Sequence, residues 1–252
     1  MVFLKFAPLL LVLASDLTAQ SHAATASPAH LPDQATLPIT FTKTISAVHV
    51  KPGDVVLAKT IQDIHLADGR KVASGAVVKG HVVASTAFAY DSTPYAKQKP
   101  GALEIQIDSL EVQGQSIPLH VSLRAMASPL ATESAEEPRA SDLDSLATTT
   151  QVGGDLLTPS QNEIRDANGD VVGYNKKSGT FAHLLANARD AVRCDAGGTE
   201  QPVSVFSASA CGLYGFSQTS LTRFDASRIV LVSTHGTPKI WKHTTALLES
   251  KL

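Results

Sequence analysis

Apolar and polar positions alternate most regularly over residues 103–126. Leu103, Ile105 and Ile107 alternate with Glu104, Gln106 and Asp108, and after Gln113-Gly114-Gln115 the residues Ile117, Leu119, Val121 and Leu123 alternate with Pro118, His120, Ser122 and Arg124. A period of two on both sides of a glycine turn predicts a hairpin with one buried and one wet face. Glu104, Asp108 and Arg124 then belong to the wet face, and because a one-residue slip would bury them the register is expected to be firmly set. Pro118 cannot donate to a ladder, so its strand is expected at an edge or a bulge.

Shorter β-type runs precede this hairpin. Residues 37–50 (LPITFTKTISAVHV), 55–66 (VVLAKTIQDIHL) and 71–86 (KVASGAVVKGHVVAST) are rich in Val, Ile and Thr. Lys51-Pro52-Gly53-Asp54 and Ala67-Asp68-Gly69-Arg70 separate them, with proline and glycine at the positions where turns need a fixed or a permissive φ. Gly75 and Gly80 mark bulges or barrel bends inside the third run. Beyond residue 162, Asn168-Gly169 lies between β-type flanks and predicts a two-residue hairpin. Thr180–Val192 (TFAHLLANARDAV) is the one helix candidate, with Phe181, Leu184, Leu185, Ala188 and Val192 on one face and Thr180 as N-cap. Arg228–Ser233 and Lys239–Leu248 are again β-type.

These elements predict a mainly β fold, a Greek-key barrel or sandwich with one short helix and a disordered excursion. The division is a leader at 1–23, a flexible lead-in at 24–36 and a β domain at 37–127. A low-complexity linker or excursion follows at 128–162, poor in residues to bury. A C-terminal β segment at 163–252 then carries the helix and a disulfide loop, and its last strands are expected to complete the barrel begun at residue 37, because antiparallel sheets cover their edges.

The leader changes the chemical setting. Lys5 is the only charge before the apolar run Phe6–Ala14 (FAPLLLVLA), and a small, polar stretch follows it. This is the pattern of a cleavable secretory signal, with cuts after Ala23 or Ala19 both open. No later run of about 18 apolar residues exists, so the mature chain is expected to carry no transmembrane segment and to reside in the periplasm or outside the cell. There, Cys194 and Cys211 are expected to pair as a disulfide. The charge balance, 21 basic against 23 acidic side chains, provides no basic field for nucleic acid.

Candidate chemistry is sparse. Asp166-x-Asn168-x-Asp170 starts like a calcium loop, but Val171 stands where the bend needs glycine and Lys177 where the bidentate glutamate belongs, which favours an ordinary β-turn. His49, His65, His81, His120, His183, His235 and His243 show no metal-ligand spacing. No G-x-S-x-G elbow or phosphate-binding glycine loop occurs, so neither cofactor nor catalytic residue is assigned. The loop 87–101 carries Tyr90 and Tyr95, which suit ligand stacking or an ordinary loop.

Two stretches, 51–83 (KPGDVVLAKTIQDIHLADGRKVASGAVVKGHVV) and 103–123 (LEIQIDSLEVQGQSIPLHVSL), resemble a group of exported bacterial proteins of acidobacterial type, as does 194–216. The element ASGAVVKGHV (73–82) is also similar to strands of the β-barrel domain in TrbI-like proteins of conjugation and type IV secretion channels. The resemblance implies an exported β fold and transfers no functional residue. The leading functional expectation is a non-catalytic envelope or extracellular module that binds or assembles with a protein partner. A small-ligand or glycan-binding protein and a hydrolase with a triad gathered from scattered residues remain the alternatives.

Overall fold

The computed structural model describes residues 29–94, 97–136, 148–187, 194–223 and 227–251. In chain order the first strands are β1 (Thr36–Phe41), β2 (Ile45–Ser46), β3 (Val55–Thr60), β4 (Ile64–His65), β5 (Lys71–Val72), β6 (Val77–Thr86), β7 (Gly101–Val112), β8 (Gln115–Pro118) and β9 (Val121–Ala127). Helix α1 (Pro129–Glu136) follows, then β10 (Thr149–Thr150), β11 (Leu156–Thr158), β12 (Glu163–Arg165), β13 (Val171–Lys176), β14 (Gly179–His183) and β15 (Glu200–Pro202). The chain ends with β16 (Gly212–Tyr214), β17 (Thr219–Arg223), β18 (Arg228–Ser233), β19 (Lys239–Ile240) and β20 (Thr245–Ser250). The fold is mainly β, and its larger sheet runs β16-β9-β20-β1-β3-β6-β7-β18-β17, with β8 beside β7.

That sheet curls into a nearly closed barrel. Buried Ser227, just before β18, brings its two ends together. Its N–H donates to the Val121 carbonyl, and its hydroxyl accepts from Val121 N–H at 3.1 Å and donates to the Leu119 carbonyl at 3.0 Å. Leu37, Ile39, Phe41, Ile105, Ile107, Leu123 and Met126 fill the interior. The turns form as their residues require: Gly53 and Gly69 have φ of 88° and 82°, and Asp54 and Asp68 side chains accept backbone N–H groups of Lys51 and Arg70. Gly80 sits at a register shift between β6 and β7, where a Cβ would stand 2.2 Å from the Gln106 carbonyl oxygen. Only glycine lets the strands approach that closely.

The 103–126 hairpin departs from a simple ladder. Gln113 and Gly114, with φ of 50° and 80°, form a two-residue turn, and β8 pairs with β7 through Ser109↔Pro118. The return then leaves β7, and β9 joins β20 instead. β18 takes over the edge of β7 that β8 leaves, from Arg228↔Gln106 to Ser233↔Gly101, while β6 holds the opposite edge. Pro118 thus lies in a strand whose one ladder partner among the described residues is β7.

A second sheet, β10-β11-β12-β13-β14-β15, packs on the outside of the barrel. Ala125, Ala127 and Leu247 turn outward from β9 and β20 into a second core with Val152, Ile164, Val172 and Phe206. Among the described residues, 180–187 do not form the expected helix. Gly179–His183 is a strand paired to β13 and β15, with Ala182 and Leu184 buried at spacing two, and 188–192 lie outside the described residues. Short apolar runs fit either period, and here sheet pairing decides.

The helix stands instead at Pro129–Glu136, inside the stretch expected as an excursion. Ser128 caps it, accepting from Ala131 N–H at 3.3 Å, and Pro129 presets φ at its first position. Thr132 fixes it to the barrel through a 2.7 Å hydrogen bond with Thr245. The same stretch contains β10 and β11, with Gln151 and Asp155 buried, while 137–147 lie outside the described residues. The lead-in is likewise partly seated: Leu31 is buried, and His30 accepts from Ala67 N–H at 3.0 Å. The leader itself, 1–23, lies outside the described residues.

Arg124 ties the two layers together. A register shift between Leu247 and Leu248 leaves it as the extra residue of a bulge in β9, which re-aims the strand. The wet position expected for Arg124 is therefore overturned: it is 1% exposed. Its guanidinium donates to the carbonyls of Leu185 at 2.6 Å, Asp195 at 2.8 Å and Ala208 at 3.2 Å, and lies 3.6 Å from Glu249. Burial weakens its hold on the proton and Glu249 opposes that effect. Arg124→Ala leaves Glu249 and three carbonyls facing a void. It is expected to lower unfolding stability by about 3–5 kcal/mol, read from the denaturation midpoint at unchanged slope.

Candidate functional site

The disulfide forms as expected, with Cys194 and Cys211 Cα atoms 6.0 Å apart. It closes the loop that supplies two of the carbonyls on Arg124. Asn187 extends the junction, its backbone bridged to Cys194 and its amide donating to the Ser209 carbonyl at 2.9 Å.

Beside this junction opens a polar cavity of about 630 Å³, lined by Gly153, Gly154, Asp155, Asp166, Ala167, Leu185, Ala186, Asn187, Ser209, Cys211, Leu213 and Tyr214. Asp155 is buried at its wall and accepts from Ala208 N–H at 2.7 Å. Burial raises its pKa above the ordinary carboxylate value, and the charge of Asp166 adds to the rise. Asp166 comes from the β12–β13 turn, which spans 166–170 and is thus longer than the expected two-residue hairpin. Its Oδ1 accepts from the N–H groups of Asn168 at 2.9 Å and Asp170 at 3.0 Å. That is the bonding of a turn, the reading favoured from the residues. The Tyr214 hydroxyl accepts from Cys211 N–H at 3.0 Å.

A second hollow, about 520 Å³, is mostly apolar. Ser128, Pro129, Leu130, Ala131 and Ser134 of the α1 region face Gly215 and Trp241 across it. Gly215 lets the chain pass close to the helix start, since a Cβ there would meet Ser128 Oγ at 2.2 Å. Trp241 packs on Phe216 with ring centroids 5.4 Å apart, and Leu130 is 72% exposed. Lys242 N–H donates to Thr44 Oγ1 at 3.0 Å and His243 N–H to the Phe41 carbonyl at 2.9 Å, so the 41–44 segment lies beside 242–243, and Lys43, Lys242 and His243 are exposed there.

Among the described residues, the loop that carries Tyr90 lines neither hollow. Tyr90 is 76% exposed and packs edge-on against Phe88 at 5.0 Å, while Tyr95 lies outside the described residues. His81 bonds Asp108 at 2.7 Å on the barrel's outer face. Among the described residues no three His, Cys, Asp or Glu side chains group to hold a metal. Sequence reasoning missed Asp155 because it sits in a Gly/Ser/Thr-rich stretch; Gly153-Gly154 before it was the available sign of a close backbone approach. Comparison with family models, curated proteins and solved structures finds no match to the chain.

Two outcomes are expected. The folded state holds the Asp155 proton more tightly than the unfolded chain does. The group therefore favours folding below the ordinary carboxylate range and opposes it as pH rises through the folded value. Asp155→Asn keeps the acceptor for Ala208 N–H, so it should raise the melting temperature at neutral pH, with the gain fading on acidification. Replacing both cysteines by serine should cost about 3 kcal/mol, a fall of about 6–12 °C in melting temperature.

Proposed function

We infer that the protein is an exported, non-catalytic β module of the periplasm or cell exterior that docks a protein partner through the hollow at Trp241. The single observation behind this reading is the exposed Trp241–Leu130 surface, backed by Phe216, with the exposed Lys242 next to Trp241 in the chain. Tryptophan and large aliphatic side chains at the centre of a patch, with charge at its margin, are what partner-binding surfaces concentrate. Exposed Lys242 beside Trp241, with Lys43 on the neighbouring segment, favours a partner whose apolar anchor residue is flanked by acidic side chains.

Export is supported by the leader pattern and by the disulfide, which persists in oxidising surroundings. Among the described residues no helix is long and apolar enough to cross a membrane.

A photo-crosslinking residue placed at position 130 in the producing cells tests the reading. A discrete protein adduct is expected, carrying an acidic contact segment. Trp241→Ala should weaken it about 30-fold, the effect of losing a ~2 kcal/mol anchor, and Lys242→Glu should reduce it further. An adduct equally strong in both variants, or none at all, would overturn the assignment.

A further inference from the structure

We propose that the polar cavity beside the disulfide binds a small organic molecule through a protonated amine. The charge balance of its wall carries this assignment. Asp155 and Asp166 both line it, and no Lys, Arg or His does among the described residues. Asp155 is only 3% exposed, and the partner found for its carboxylate is the Ala208 backbone amide, a neutral group. Buried carboxylates are ordinarily met by a cation. Among the described residues the one buried cation nearby, Arg124, is turned to the carbonyls of Leu185, Asp195 and Ala208 and to Glu249. An ammonium group entering the cavity would supply the missing charge to both acids at once.

The rest of the wall sets the class of ligand. An anion is repelled by two carboxylates, and a wall that is mostly polar, with Ser209 and Tyr214 beside the acids, disfavours a wholly apolar molecule. Leu185 and Leu213 offer short apolar surface, so the best-fitting ligand is an amine on a compact, hydroxyl-bearing body. A cavity of about 630 Å³ accommodates a molecule of that size. The disulfide and the Arg124 bonds hold the walls in place beforehand, which lowers the ordering cost of binding. The titratable groups facing Asp155 are Asp166 from the β12–β13 turn and Tyr214 from β16. Binding should weaken on acidification as the Asp155 carboxylate takes up a proton.

Calorimetric titration of the intact protein with glucosamine, putrescine and glucose tests the proposal. Both amines should bind, with glucose at least tenfold weaker. Asp155→Asn should lower amine affinity tenfold or more, and Asp166→Asn, at the more exposed position, provides the same test should the first variant fail to fold. Asp170→Asn, outside the cavity wall, should leave affinity unchanged, and so should Trp241→Ala, which separates this site from the partner surface. Glucose binding as tightly as glucosamine, amine binding indifferent to both cavity variants, or no amine binding at millimolar concentration would each overturn it.

Discussion

One buried cation holds the two layers in register. Removing a guanidinium from water is costly, and the cost is offset only where acceptors surround it in good geometry. Arg124 meets that condition with carbonyls drawn from three separate places: Leu185 after β14, Asp195 just inside the disulfide loop, and Ala208 before β16. Glu249 on β20 supplies the charge. A single side chain on the barrel thus specifies where the second sheet and the loop must sit. Gln62 performs a neutral version of the same task elsewhere, its amide bonding the backbone of Thr180 and Ser204. Ala125 and Ala127 complete the arrangement by being small enough for the layers to meet.

The two hollows follow from this arrangement. Where the second sheet and the disulfide loop meet the barrel, backbone turns and short polar side chains leave a walled, acidic space. Where α1 crosses toward Trp241, the described residues leave apolar surface open. The first is deep and charged and the second shallow and greasy, so they suit ligands of different kinds.

Much of the barrel was legible because its determinants are local. Pro and Gly at the 51–54 and 67–70 turns, Gln113-Gly114, the alternation of β7 and the edge position of Pro118 each state their own conformation. The cysteine pairing followed from compartment and count. What was not legible depends on contacts distant in sequence. Arg124 reads as a wet-face residue until the bulge opposite Leu247 and the carbonyls of a loop some 70 residues away are known. The helix was misplaced for a related reason. Residues 180–192 have helical spacing, yet β13 and β15 offer 179–183 two ladder partners, whereas Ser128-Pro129 marks a helix start that composition alone obscured. Asp155 became visible as a site residue only when Asp166 and Tyr214 were brought around it.

The pairing of Thr36 with Glu249 carries a consequence for how the molecule is made. Strand β1 finds its neighbour β20 only after more than two hundred intervening residues have been synthesised, and Ser227 likewise draws the seam shut from late in the chain. Contacts so remote are slow to form, since a long loop must close before they reward it. A growing polypeptide of this design keeps its first strand half-paired until near the end of synthesis. With export as proposed above, that delay would favour threading through a translocation pore in an extended state, with assembly deferred to the far side of the membrane.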